Sequence, residues 1–154
     1  MKRKAFKPRT ADHSRGFALG AAVLLLLTTL FFLYSGLMLV ETHVVLSSSG
    51  LPPIPGLNNT TKTVNGVLYT MGVVAVLMGI LYLVATILVF SGNWSGFYSG
   101  VGLSATTLAA IAYFLYLLPS LLYIGLMLAI APALIITFLL LGWKSFTKKP
   151  SVGV

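Results

Sequence analysis

Three stretches of this sequence carry no charged residue and no histidine, and each is long enough to cross a lipid bilayer. Residues 17–40 and 67–90 form runs of 24, and residues 97–143 form a run of 47. A helix rises about 1.5 Å per residue and the hydrocarbon core is about 30 Å thick, so about 20 residues suffice for one crossing. Only 8% of the residues are charged, whereas soluble domains carry about 25%. The sequence therefore predicts an integral membrane protein.

The longest charge-free run exceeds the length of one span and must break. Its two prolines are Pro119 and Pro132. A break at Pro132 leaves about a dozen residues before the run ends, which is too short for a crossing. A break at Pro119 leaves about 22 residues on each side, enough for two spans. We therefore predict a tight helical hairpin at Pro119, with Pro132 tolerated as a kink.

The distribution of positive charge predicts the orientation of these spans. Of the ten Lys and Arg residues, six precede the first run and three follow the last. Since cytoplasmic segments are enriched in Lys and Arg, both termini are expected in the cytoplasm, which requires an even number of crossings. The predicted fold is an all-α, four-helix transmembrane bundle with a long outer loop between helices 1 and 2. Its segments are a basic tail (1–16), the first span (17–40), an outer loop (41–66), the second span (67–90), an inner turn (91–96), the third span (97–118), an outer turn (119–120), the fourth span (121–143) and a second basic tail (144–154).

The outer loop combines prolines with glycosylation patterns. Its proline cluster at 52–55 favours an extended segment, and residues 41–46 are a weak candidate for a short strand. Asn58 and Asn59 match the Asn-x-Ser/Thr acceptor pattern and are candidate glycosylation sites. The predicted location is the plasma membrane of a prokaryote, and the acceptor patterns fit an archaeal surface.

The spans lack the side chains that most membrane chemistry needs. Proton relays, ion-coupled transport and voltage sensing require charge at membrane depth, and the three runs offer none. Cysteine is absent, which excludes disulfides and thiolate chemistry within the chain. Glu41 and His43 share one face if extended, but a metal site needs three or four ligands. We therefore predict no enzyme activity and no cofactor or metal.

The basic residues have a simpler explanation than nucleic-acid binding. Because they flank membrane spans, they are predicted to contact anionic lipid headgroups rather than nucleic acid. The residues concerned are Lys2, Arg3, Lys4, Lys7, Arg9, Arg15, Lys144, Lys148 and Lys149.

Small residues recur at helical spacing in the later spans. Residues four apart share a helix face, and small side chains let helix backbones approach closely in lipid. The predicted helix-packing or interface residues are Gly72, Ala75 and Gly79 in the second span, Gly92, Gly96, Gly100 and Ser104 at the third, and Gly125, Ala129, Ala133 and Thr137 in the fourth. The pattern does not decide whether these faces meet within the chain or contact another subunit.

Two functional hypotheses follow. The first is a non-catalytic accessory subunit of a larger membrane complex, for instance a respiratory or electron-transfer complex, whose partners are other integral membrane subunits and lipids. The alternative is a homo-oligomeric pore or carrier for a neutral or apolar solute. Its polar lining would come from Thr28, Thr29, Ser35, Thr70, Thr86, Ser104, Thr106 and Thr107.

Overall fold

The chain folds into four long helices joined by short connections. A computed structural model describes residues 13–48 and 58–146, giving the backbone alone at residues 46, 58–65 and 121. The helices are α1 (His13–Ser48), α2 (Asn58–Phe90), α3 (Trp94–Leu117) and α4 (Leu122–Gly142), with short 3₁₀ turns at Pro119–Leu121 and Trp143–Ser145. All four are long and apolar enough to span a membrane. The predicted all-α architecture with four spanning helices is confirmed.

Each helix packs against its neighbours in the sequence, and α1 packs against α4 to complete the bundle. A Cβ atom built on Gly142, at the end of α4, would lie 3.1 Å from the carbonyl oxygen of Ser14 in the first turn of α1. The start of α1 and the end of α4 are therefore adjacent. We call this end of the bundle, with His13 and Phe146, the terminal end, and the opposite end, with Ser48 and Pro119, the loop end.

The buried core lies in the half of the bundle nearer the terminal end. Its largest fully buried apolar side chains are Leu25, Tyr82, Ile135 and Leu139. On α1 the core face also includes three alanines whose small side chains bring neighbouring helices close: Ala18, Ala21 and Ala22. Large aromatic rings close the terminal end of this core, with ring centroids of Trp94, Phe97 and Phe146 lying 5.4 to 6.4 Å apart.

Local capping fixes the turn between α2 and α3. Gly92 has a φ of +68°, its N–H donates to the carbonyl of Val89, and the N–H of Asn93 donates to the carbonyl of Leu88. This is the Schellman arrangement, in which glycine tolerates the left-handed conformation that ends a helix. Asn93 then caps α3, because its side-chain oxygen accepts the N–H of Ser95 at 3.0 Å. The turn is three residues long, shorter than the predicted 91–96.

Proline ends α3 as predicted. Because proline disfavours helical geometry in the residue before it, Leu118 lies outside the helical region at φ −130° and ψ 72°. A single 3₁₀ turn from Pro119 leads directly into α4. Pro132 lies inside α4 and is buried, so the second proline is tolerated within a helix. The predicted hairpin at Pro119 is confirmed.

The hairpin of α1 and α2 is longer than the sequence suggested. Residues 41–48 continue α1, and α2 already begins at Asn58, so the predicted strand at 41–46 is wrong. The proline cluster at 52–55, predicted to be extended, lies outside the described residues. No glycine or proline interrupts residues 41–48, and packing of α1 against α2 outweighs the strand preference of Val44 and Val45. With 36 residues against 24 in α3, α1 is about 18 Å longer than α3 at 1.5 Å per residue.

Candidate functional site

Two glycines bring the backbones of α1 and α2 close together. A Cβ on Gly36 would lie 2.9 Å from the carbonyl oxygen of Gly72, and a Cβ on Gly72 would lie 3.0 Å from that of Gly36. A Cβ on Gly79 would lie 2.8 Å from the Leu33 side chain of α1, and Ala75, between Gly72 and Gly79, is half-buried. The predicted small face of the second span therefore packs within the chain. Gly36 was missed because no regular small-residue spacing surrounds it; its one signal was an isolated glycine inside an apolar helix.

The predicted stripe of the third span also faces the interior. Gly96, Gly100 and Ser104 are buried. A Cβ on Gly96 would lie 2.5 Å from the backbone nitrogen of Val89 in α2, and one on Gly100 would lie 2.8 Å from the side chain of Leu139 in α4. A Cβ on Gly92 would have no neighbour within 4 Å, because that glycine belongs to the turn. The stripe therefore begins at Gly96.

The stripe of the fourth span divides between two environments. A Cβ on Gly125 would lie 2.7 Å from the Leu115 side chain of α3, so this glycine packs internally. Ala129 is half-buried, whereas Ala133 and Thr137 are exposed. The small residues of α4 therefore pack against α3 at Gly125 and lie on the surface of the bundle at Ala133 and Thr137.

A buried hydroxyl pair links α2 to α3. The hydroxyl of Tyr82 lies 2.8 Å from Oγ1 of Thr107, which itself donates to the carbonyl oxygen of Leu103 at 2.9 Å. Since the Thr107 proton is used in this way, Tyr82 is the donor of the pair. The Tyr82 ring stacks on Phe32 of α1 with centroids 5.6 Å apart. One turn away, the fully buried Oγ of Ser104 has no hydrogen-bond partner among the described residues.

The candidate pore-lining hydroxyls are tied to their own helices. Apart from Ser104, each donates to the carbonyl four residues earlier, at 2.6 to 2.9 Å. The residues are Thr28, Thr29, Ser35, Thr70, Thr86, Thr106 and Thr107. Their protons are therefore engaged, and among them only Thr28 and Thr107 line the apolar groove described next.

An apolar groove of about 660 Å³ opens between α1 and α4, with α3 as its floor; its lining lies in the loop-end half of α3 and α4 and near the middle of the α1 span. It arises because the helices pair differently along the bundle. Near the terminal end, Gly20 contacts Phe138 and Gly142 contacts Ala18, which holds α1 against α4. Toward the loop end, α1 follows α2 through Gly36, while α4 follows α3 through Gly125. The hairpin of α1 and α2 therefore diverges from the hairpin of α3 and α4, and the groove is the space between them.

The outward face of α3 is formed by small residues. Gly102, Ala105, Thr106, Ala109 and Ala112 are all exposed and share one side of the helix, opposite Gly100 and Ser104. A Cβ on Gly102 would meet nothing within 4 Å. The sequence did not indicate this face, because the small residues on the opposite side of α3 recur more regularly and were predicted to be its interface.

The remaining predicted residues lie at the two ends of the bundle. Arg15 and Lys144 are exposed at the terminal end, and their contact with lipid headgroups stays a prediction; the other seven basic tail residues lie outside the described residues. At the loop end, Glu41 is exposed and the His43 ring lies 5.0 Å from that of Tyr69. Within residues 13–48 and 58–146, no three His, Cys, Asp or Glu residues are grouped as metal ligands. Asn58 and Asn59 begin α2.

Comparison of this chain with protein-family models, curated proteins and solved structures finds no match.

Proposed function

We propose that this chain is a non-catalytic structural subunit of a larger membrane complex, for instance an electron-transfer complex, and that a helix of a partner subunit packs on α3. The observation that carries the proposal is the exposed small-residue face of α3, Gly102 to Ala112. This proposal retains the predicted accessory role but moves the predicted interface from the glycine stripe to the opposite side of the same helix.

The exposed surface of α2 differs from the small-residue face of α3. There the side chains facing outward are large and branched, such as Val74, Leu77 and Val84, each about half exposed. Large apolar side chains suit contact with lipid tails, whereas small ones allow the backbone of a second helix to approach and gain dispersion contacts. A face of glycine, alanine and threonine on α3 is therefore better suited to a helix than to lipid.

The dimensions of the face fit a single spanning helix. Tyr98, near the terminal end of α3, is 67% exposed, and Tyr113 and Tyr116, near its loop end, are 64% and 83% exposed. Tyrosines are enriched at both membrane interfaces. Tyr98 and Tyr113 are 15 residues apart, about 22 Å along a helix, and the small residues from Gly102 to Ala112 cover about 15 Å between them, half of the hydrocarbon thickness.

The interior of the bundle favours a structural role over transport. Within the described spans the core is filled by Leu25, Tyr82, Ile135 and Leu139, and the hydroxyls of candidate pore residues are engaged with their own helices. Among the candidate pore residues only Ser104 has a buried hydroxyl with no partner in the described part of the chain, so we propose the structural role in preference to a homo-oligomeric pore or carrier for a neutral or apolar solute.

The test is recovery of partner chains with variants of the outward faces. Ala109→Leu places a branched side chain in the middle of the proposed contact, and we expect it to reduce recovery of partner subunits after mild detergent extraction. Since Ala109 is exposed, membrane insertion and folding of the chain itself should be unchanged. Ala133→Leu, the same substitution on the exposed side of α4, is the matched control and should leave recovery unchanged.

Three results would contradict the proposal or part of it. Undiminished recovery with both variants would show that neither face holds a partner. Loss with Ala133→Leu alone would place the interface on α4. A native mass that contains only copies of this chain would support the homo-oligomeric alternative.

A further inference from the structure

We infer that the groove between α1 and α4 binds a hydrocarbon chain of a membrane lipid. This inference goes beyond the proposed function and does not depend on it, because the groove and the outward face of α3 are separate surfaces. Of the residues that line the groove, only Thr28 and Thr107 are polar.

Hydrogen bonding shows which chemistry the groove accepts. The hydroxyl of Thr28 donates to the carbonyl of Leu24 at 2.8 Å. The hydroxyl of Thr107 donates to Leu103 and accepts from Tyr82. No donor on the groove wall is left for a ligand carbonyl, so a quinone or another carbonyl-bearing ring would lose its hydrogen bonds on entry. An apolar chain loses nothing.

The size of the groove separates a lipid chain from a helix. The lining residues extend over about 12 Å of each helix, whereas a helix that spans the hydrocarbon core is about 30 Å long. The walls also mix bulky side chains, such as Phe31 and Phe114, with small ones, such as Gly125, and so lack the uniform small-residue face that close helix contacts use. A flexible hydrocarbon chain fits both conditions.

The groove lies at the depth of the membrane spans and faces the bilayer. On α4 the lining residues run from Ile124 to Pro132, and on α1 from Leu24 to Phe32, both inside the apolar spans. The rim residues Leu27 and Met127 are 57% and 76% exposed, so the groove opens sideways, where a lipid chain can enter from the bilayer.

The test uses the full chain reconstituted in phosphatidylcholine vesicles that contain a small fraction of phosphatidylcholine with a photoactivatable diazirine at mid-chain. After illumination, peptide mapping should find cross-links concentrated on groove residues such as Met127. Ala131→Phe and Ala110→Phe each fill the groove from a different helix and should abolish those cross-links. Ala133→Phe, which adds the same ring to the exposed side of α4, should leave them unchanged.

The helical content and elution volume of each variant, compared with those of the original chain, establish that the loss of cross-links is local. Cross-links spread evenly over all lipid-facing helices would overturn the inference, as would groove cross-links that persist in both filled variants. Because the vesicles contain this chain alone, failure of the subunit proposal leaves the result interpretable.

Discussion

Replacing Gly96 with alanine should destabilise the bundle, although alanine is the better helix former. The added Cβ would lie 2.5 Å from the backbone nitrogen of Val89, whereas ordinary contact begins at 3.4 Å, so α3 must move away from α2 by about 0.9 Å. The obstacle is backbone, and the hydrogen bonds from Gly92 and Asn93 to Val89 and Leu88 hold it in place.

Two opposing terms set the expected size of the effect. Overpacking of this kind typically costs about 1–3 kcal/mol, with the upper part of that range expected because backbone cannot rotate aside. The gain in helix propensity from glycine to alanine is about 1 kcal/mol. We therefore expect a net loss of about 1–2 kcal/mol, which lowers the ratio of folded to unfolded protein about 5- to 30-fold.

Equilibrium unfolding in mixed micelles, followed by the helical signal or by steric trapping, measures this difference. Gly102→Ala is the matched control on the same helix, because its Cβ would meet nothing within 4 Å. That control should be neutral or more stable by up to about 1 kcal/mol. If Gly96→Ala proved as stable as Gly102→Ala, the close contact between α3 and the end of α2 would be refuted.

Two further predictions concern the core and the topology. Ser104→Ala removes a buried hydroxyl that has no partner in hydrogen-bonding geometry among the described residues, so it should raise stability by about 1 kcal/mol in the same unfolding assay; a loss would reveal a partner, such as the nearby Tyr82 hydroxyl or an internal water. Single cysteines at Ser48 and Ser145, in a chain that has no other cysteine, should react with an impermeant thiol reagent from opposite sides of the membrane; labelling from the same side would contradict the four-span topology.

The sequence was sufficient for the architecture because membrane insertion depends on few variables. Charge-free runs of at least 20 residues identify the spans. In the run 97–143, the number of residues on each side of Pro119 is enough for one crossing each, which gives two crossings instead of one. The extension of α1 past Val40 was not predictable in the same way. A polar segment without glycine or proline can be helix or loop, and its contact with α2 decides the outcome.

The surfaces were harder to predict than the spans. Small residues every four positions indicate that something packs closely, but spacing alone does not identify the partner. On α3 the regular stripe turned out to face α2 and α4, and the less regular set around Ala109 faces outward. The contact between Gly36 and Gly72 depends on where two helices cross, and the groove depends on where two hairpins separate. Neither is encoded in the spacing along one helix.

The two hairpins are joined at one end of the contact between α1 and α4 and separated farther along it. Close contacts at Gly20 and Gly142 hold α1 against α4 near the terminal end, while the groove separates the same two helices farther from that end. A change in the angle between the hairpins would therefore widen or narrow the groove while the contact at the terminal end stays closed.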